Sequence, residues 1–226
     1  MFFSKQSRHR ILLIDPDKVE KGFYDELART TKNYDPDLFF VGGSFSGSGN
    51  IHNVVDELKQ NTAKPVILFP GDFTQLTPRA DAVLFLSLLS GRNPEYLAGQ
   101  QVKAAPVIRR TGLQVIPTAY LLVDGGSLTT VQYITQTLPI PADKIDLAVA
   151  TALAGQYMGM QLVYLEAGSG AGRPVPLEML QSVARSVQIP VIVGGGIRDL
   201  DLVETYFKAG ANGVVIGTMF EKKGRP

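Results

Sequence analysis

At 226 residues with 45% hydrophobic side chains, the chain is long enough to bury one substantial core. Its net charge of +1 and pI near 7.9 exclude the basic excess of a nucleic-acid binder, so no nucleic-acid partner is expected. The absence of cysteine excludes a disulfide framework and thiolate metal sites, and suits a cytoplasmic protein.

The opening MFFSKQSRHR has no apolar stretch of signal-peptide length, and no apolar run nears the roughly 20 residues that span a bilayer. From there strand and helix signals alternate. Strands are predicted at Ile11–Ile14, Leu38–Val41, Pro65–Phe69, Ala82–Ser87, Gln114–Val123, Gln161–Leu165, Pro190–Val193 and Gly213–Ile216. Most are apolar on both faces, as strands covered by helices should be. Amphipathic stretches separate them at Val19–Thr31, Asn50–Asn61, Asn93–Ala105, Leu128–Leu138 with Ala142–Met160, Pro176–Val187 and Asp199–Ala209. Eight strands joined by right-handed βαβ crossovers predict one α/β domain over residues 1–226, a (β/α)8 TIM barrel. Two irregularities stand out. Pro70–Ala80 is too short and broken for a full third helix, and Met219–Pro226 are too few for a closing one. The N-terminal segment is an alternative closure for the bottom of the barrel.

Chemistry-bearing residues collect where strands end. Glycine there lets backbone N–H groups approach a ligand, and three such turns follow the last strands: Glu166–Gly172, Gly194–Arg198 and Gly217–Thr218. Amide donors converging in this way predict a phosphate site. Gly168–Gly172 is a poor dinucleotide fingerprint, because Arg173-Pro174-Val175-Pro176 follows and no helix opens on the glycines. Tyr164 and Glu166 are two apart on one strand and face the same side, with Val163 and Leu165 toward the helices. A glutamate aimed into a barrel suits acid–base work; the alternative is a salt bridge to Arg198 or Lys18. Asp15, at the end of the first strand, suits Mg²⁺ or else caps the following helix. Ser44, in the glycine loop after the second strand, offers a further oxygen or is plain turn chemistry. His9 and His52 have no partner at ligand spacing and receive no role.

The segments LIDPDK (13–18), VGGSFSG (41–47), ADAVLFLS (80–87), PTAYLLVDGG (117–126), YLEAGSG (164–170) and VGGGIR (193–198) resemble, in order, the geranylgeranylglyceryl phosphate synthase family. That resemblance implies a prenyltransferase that joins geranylgeranyl diphosphate to the 3-hydroxyl of sn-glycerol 1-phosphate, with Mg²⁺ and release of diphosphate. It implies an irregular segment in place of the third barrel helix. It also implies Asp15 and Ser44 as metal ligands, and Glu166 as base with Tyr164 beside it. The glycerol phosphate would be bound by Tyr164, Leu165, Glu166, Ala167, Gly168, Ser169, Gly170, Gly195, Gly196, Gly217 and Thr218. Dimers or hexamers are implied, and a lipid product allows peripheral membrane contact. Phe85, Leu86, Leu88, Leu89, Tyr96 and Tyr120 are candidates for an apolar groove, and Lys18 or Arg92 for assisting diphosphate. Alternatives are a longer, heptaprenyl donor, a barrel enzyme acting on a phosphosugar, or a phosphate-binding protein without catalysis.

Overall fold

The computed structural model describes residues 2–19, 22–30, 34–45, 47 and 50–217. Within them eight parallel strands pair in sequence order and close on themselves: β1 (His9–Ile14), β2 (Leu38–Val41), β3 (Val66–Leu68), β4 (Ala82–Leu88), β5 (Gln114–Leu122), β6 (Leu162–Glu166), β7 (Val191–Gly194) and β8 (Gly213–Ile216). The outer layer is α1 (Phe23–Thr30), α2 (Ile51–Asn61), α3 (Gln100–Thr111), α4 (Thr130–Thr135), α5 (Ile145–Tyr157), α6 (Leu177–Ser186) and α7 (Leu200–Lys208).

Alternation along each strand divides the core in two. Leu12, Ile14, Phe39, Val41, Val163 and Leu165 pack outward against the helices. Ile11, Leu38, Phe40, Ile67, Leu84, Leu162, Tyr164 and Ile192 fill the barrel. On α2 the buried set Ile51, Val54, Val55 and Leu58 has the spacing of one helical face, and α7 opens with Asp199 Oδ1 accepting the Leu202 amide at 2.8 Å.

The bottom of the barrel is closed by the N-terminal segment. Phe3 is 3% exposed and meets the rings of His9 and Phe40 edge-on, at 5.5 and 6.3 Å. Asn212 ties this plug down: its Nδ2 donates to the carbonyls of Lys5 and Ser7, while its Oδ1 accepts the Val191 amide. Lys5 Nζ in turn donates to the Ala184 and Val187 carbonyls at the end of α6. Residues 218–226, beyond the last strand, lie outside the described residues.

Three helical stretches differ from their sequence expectation. The third connection is irregular as expected, with only a 3₁₀ turn at Phe73–Gln75. The stretch expected at Asn93–Ala105 starts as a π turn at Glu95–Gly99 and runs on through Pro106 to Thr111. Pro106 sits on an exposed face, where water can satisfy the carbonyl that loses its amide partner. Leu128–Leu138 shrinks to α4, because Gln136 turns left-handed at φ 51° and Leu138 is exposed instead of supplying a buried face. The expected Val19 start of α1 moves to Phe23, since Asp15 to Lys18 form a separate 3₁₀ turn.

Candidate active site

The C-terminal mouth of the barrel holds a cavity of about 300 Å³ whose walls come from β1, β2 and β6–β8 with their following loops, joined by Phe69, Tyr120 and the start of α4. Register puts Glu166 opposite Gly194 of β7 and Leu122 of β5, at the rim, with Tyr164 one layer deeper. Glu166 is 5% exposed, and its Oε1 accepts the Gly168 amide at 2.7 Å. Burial pushes its carboxyl above the usual glutamate range, opposed by the Tyr164 hydroxyl and the Gly168 amide. The Tyr164 hydroxyl is buried close by, yet makes no hydrogen bond of good geometry among the described residues. Burial and the Glu166 charge also raise the phenols of Tyr164 and Tyr120, whose rings meet edge-on at 5.4 Å.

No cation pairs with Glu166 among the described residues. Lys18 pairs with Asp15 at 3.3 Å, and Arg198 donates to the Ala171 carbonyl at 3.2 Å. The salt-bridge alternative for Glu166 therefore falls. A buried, uncompensated carboxyl of raised pKa, facing a cavity, is suited to accept a proton.

Glycines make the opposite wall. At Gly195, φ is +82° and a Cβ would lie 2.4 Å from Glu166 Oε1 and 2.6 Å from the Gly168 nitrogen. Only glycine fits there. Ser169, Gly195 and Gly196 line the cavity, and their amides carry no hydrogen bond to protein among the described residues. Unspent N–H groups at a polar mouth are anion donors.

Asp15 follows the interior residues Ile11 and Leu13 in alternation, so its carboxylate enters the mouth. Its Oδ1 also accepts the Asp17 amide at 3.1 Å, so it caps the 3₁₀ turn while facing the cavity. Gly43 passes it closely enough that a Cβ would sit 3.5 Å from the carboxyl carbon. Ser44 lines the same cavity.

An apolar groove lies beside the mouth, between β4 and α3. Gly43, Ser44, Phe69, Tyr120 and Val131 belong to both linings, so the two spaces adjoin. The groove runs on past Phe85, Leu86, Leu88 and Tyr96 to Ala104 and Ile108.

The PcrB family profile matches residues 4–225. The chain belongs to the PcrB family. A family relative from Flavobacterium johnsoniae, named geranylgeranylglyceryl phosphate synthase, is 50% identical over 210 residues, which cover 93% of this chain and 86% of its own. A protein of the same name from Thermococcus kodakarensis is 43% identical over 221 residues, covering 97% of this chain and 87% of its own. The crystal structure of (S)-3-O-geranylgeranylglyceryl phosphate synthase from Thermoplasma acidophilum, in complex with sn-glycerol-1-phosphate, matches with a TM-score of 0.89 at 35% identity. It covers 97% of this chain and 88% of that one. Tryptophan synthase α-subunit from Pyrococcus furiosus, at 15% identity and TM-score 0.58, shares the fold alone.

In this PcrB-family chain the mouth unites Asp15, Ser44, Tyr164, Glu166, Gly168, Ser169, Gly195, Gly196 and Gly217. Leu165 and Ala167 instead turn into the helix-side core, and the Ala167 amide goes to the Gly194 carbonyl at 3.0 Å. Gly170 does not line the cavity, and Thr218 lies outside the described residues. Arg92 is committed to the Leu89 and Gly91 carbonyls, and Leu89 packs toward Gly155 instead of lining the groove. Sequence reasoning missed Thr130, Val131 and Ile197 in the wall. The only signal for the first two was the Thr129 cap that starts α4.

Proposed function

We propose that this protein is a prenyltransferase that joins geranylgeranyl diphosphate to the 3-hydroxyl of sn-glycerol 1-phosphate, releasing diphosphate. One observation carries the reading: a polar mouth with a buried carboxyl and spare amides lies directly beside an apolar groove and shares lining residues with it. A phosphosugar enzyme has use for the first but not for the second. The names of the family relatives, and the glycerol phosphate complex of the Thermoplasma acidophilum protein, agree with it.

In this reading the amides of Ser169, Gly195 and Gly196 hold the phosphate, and the glycerol hydroxyl points to Glu166. The prenyl chain lies in the groove, with C1 and the diphosphate near Gly43 and Ser44. The bond from C1 to the diphosphate oxygen breaks, the glycerol oxygen bonds to C1, and the hydroxyl proton passes to Glu166. The allylic cation forms readily, so alignment and charge decide the rate.

Mg²⁺ takes few protein oxygens and several from water and phosphate. One carboxylate and one hydroxyl on the same wall fit that demand, so Asp15 and Ser44 would hold it. When bound, Mg²⁺ neutralises charge on the departing diphosphate. A homo-oligomer in the cytoplasm, touching membranes through its lipid product, completes the reading. Among the described residues no helix is long and apolar enough to cross a membrane.

The test is transfer of radiolabel from sn-glycerol 1-phosphate into an organic-extractable product with farnesyl, geranylgeranyl and heptaprenyl diphosphates. Geranylgeranyl diphosphate is expected to be the best donor. A better heptaprenyl donor would replace the chain length, and no extractable label with any donor would refute the activity.

A further inference from the structure

The irregular segment after β3 carries a buried polar side chain, Gln75, at 3% exposure. Both ends of its amide are used. Nε2 donates to the Gly43 carbonyl at 3.1 Å, and Oε1 accepts the Gly71 amide at 3.1 Å. These two glycines belong to different loops that touch backbone to backbone. A Cβ on Gly71 would lie 2.4 Å from the Gly43 oxygen and 2.8 Å from the Ser44 oxygen. Gln75 itself lines neither space, whereas Gly43 lines both the mouth and the groove, and Gly71 lines the groove. The segment is also anchored beyond Gln75, where buried Thr77 shares a 2.8 Å hydrogen bond with His52 Nδ1 of α2.

From this geometry we propose that Gln75 is a positioning residue for the prenyl diphosphate. It fixes the Gly43–Ser44 backbone, beside which the diphosphate sits, against the Pro70–Asp72 wall that lines the prenyl chain. The inference rests on the prenyltransferase reading above. A slack junction would leave head and tail sites individually intact but misaligned with each other, which costs productive binding of the donor. Glycerol phosphate is held by the loops after β6 and β7, to which Gln75 makes no bond.

Two variants of the full chain test this. Gln75→Met keeps length and volume but leaves the Gly43 carbonyl and Gly71 amide unpaired. Gln75→Ala opens room for water, which can bond to both. The KM for geranylgeranyl diphosphate is expected to rise about tenfold in Gln75→Met and less in Gln75→Ala. The Kd for sn-glycerol 1-phosphate, titrated calorimetrically without donor, should stay within about twofold of wild type. A residue that serves packing alone gives the reverse order, with Gln75→Met near wild type, and that result overturns the proposal. Equal weakening for both substrates overturns it too. If Gln75→Ala does not fold, the volume-conserving Met variant decides alone. Wild-type protein inert with every donor removes the functional reading and this proposal together, so the wild-type control separates the two failures.

Discussion

Gly195 and Glu166 are packed so closely that a single added carbon on the glycine would lie 2.4 Å from the carboxylate Oε1. The buried carboxylate and the glycine loops around it are thus one unit. Glu166 is also held by the Gly168 amide from the loop of the cradle itself. A ligand seated on the spare amides is placed beside the carboxylate by the same backbone.

Glu166→Gln keeps the shape and an acceptor for the Gly168 amide but removes the proposed base. Steady-state transfer should fall at least about a hundredfold, while calorimetric binding of sn-glycerol 1-phosphate changes little. In wild type the acidic limb of kcat/KM should lie above the ordinary glutamate range, because burial raises this carboxyl. Near wild-type turnover in the variant would remove Glu166 from the mechanism.

The same substitution should stabilise the protein at neutral pH. An unfolded glutamate titrates near 4.5, and the folded group holds its proton more tightly. Between the two values the native state binds more protons, so stability falls as pH rises through that window and stays reduced above it. Glu166→Gln escapes this loss. Thermal melts should therefore show a higher Tm than wild type at pH 8, with the gap closing near pH 4. A variant less stable at pH 8 would contradict the direction of the shift.

Gly195→Ala and Gly170→Ala separate a steric demand from a backbone one. Both positions have positive φ, +82° and +75°, but only Gly195 has atoms within 4 Å of an added Cβ. Gly170→Ala should cost about 1 kcal/mol in denaturant unfolding and leave glycerol phosphate binding close to wild type. Gly195→Ala should also displace Glu166 and the Gly168 amide, weakening that binding about tenfold or more. Equal effects on binding at the two sites would contradict the cradle.

Much of this was legible in the sequence, and the reason differs by element. Strand positions were readable because runs such as Leu38–Phe39–Phe40–Val41 are buried on both faces, which only a covered parallel sheet allows. Period-two alternation then placed Tyr164 and Glu166 together inside the barrel. Glycine spacing marked the cradle, but not which amides stay unspent; that depends on Ala167 pairing with Gly194 across strands. Gln75 carried no signal at all. Its role comes from Gly43 and Gly71, far apart in sequence and joined only by folding.

Phe3→Ala tests the plug at the opposite end of the barrel. Removing a ring that is nearly fully buried against Phe40 should cost about 3 kcal/mol of unfolding free energy. Turnover of the folded fraction, measured well below the melting transition, should remain unchanged. A fall in kcat without loss of stability would show that the floor of the barrel reaches the chemistry.

The most direct measurement is a crystal structure of this protein soaked with sn-glycerol 1-phosphate. The phosphate should accept hydrogen bonds from the amides of Ser169, Gly195 and Gly196, and the 3-hydroxyl should lie within about 3 Å of a Glu166 oxygen. A phosphate bound elsewhere, or a hydroxyl turned away from Glu166, would contradict the account.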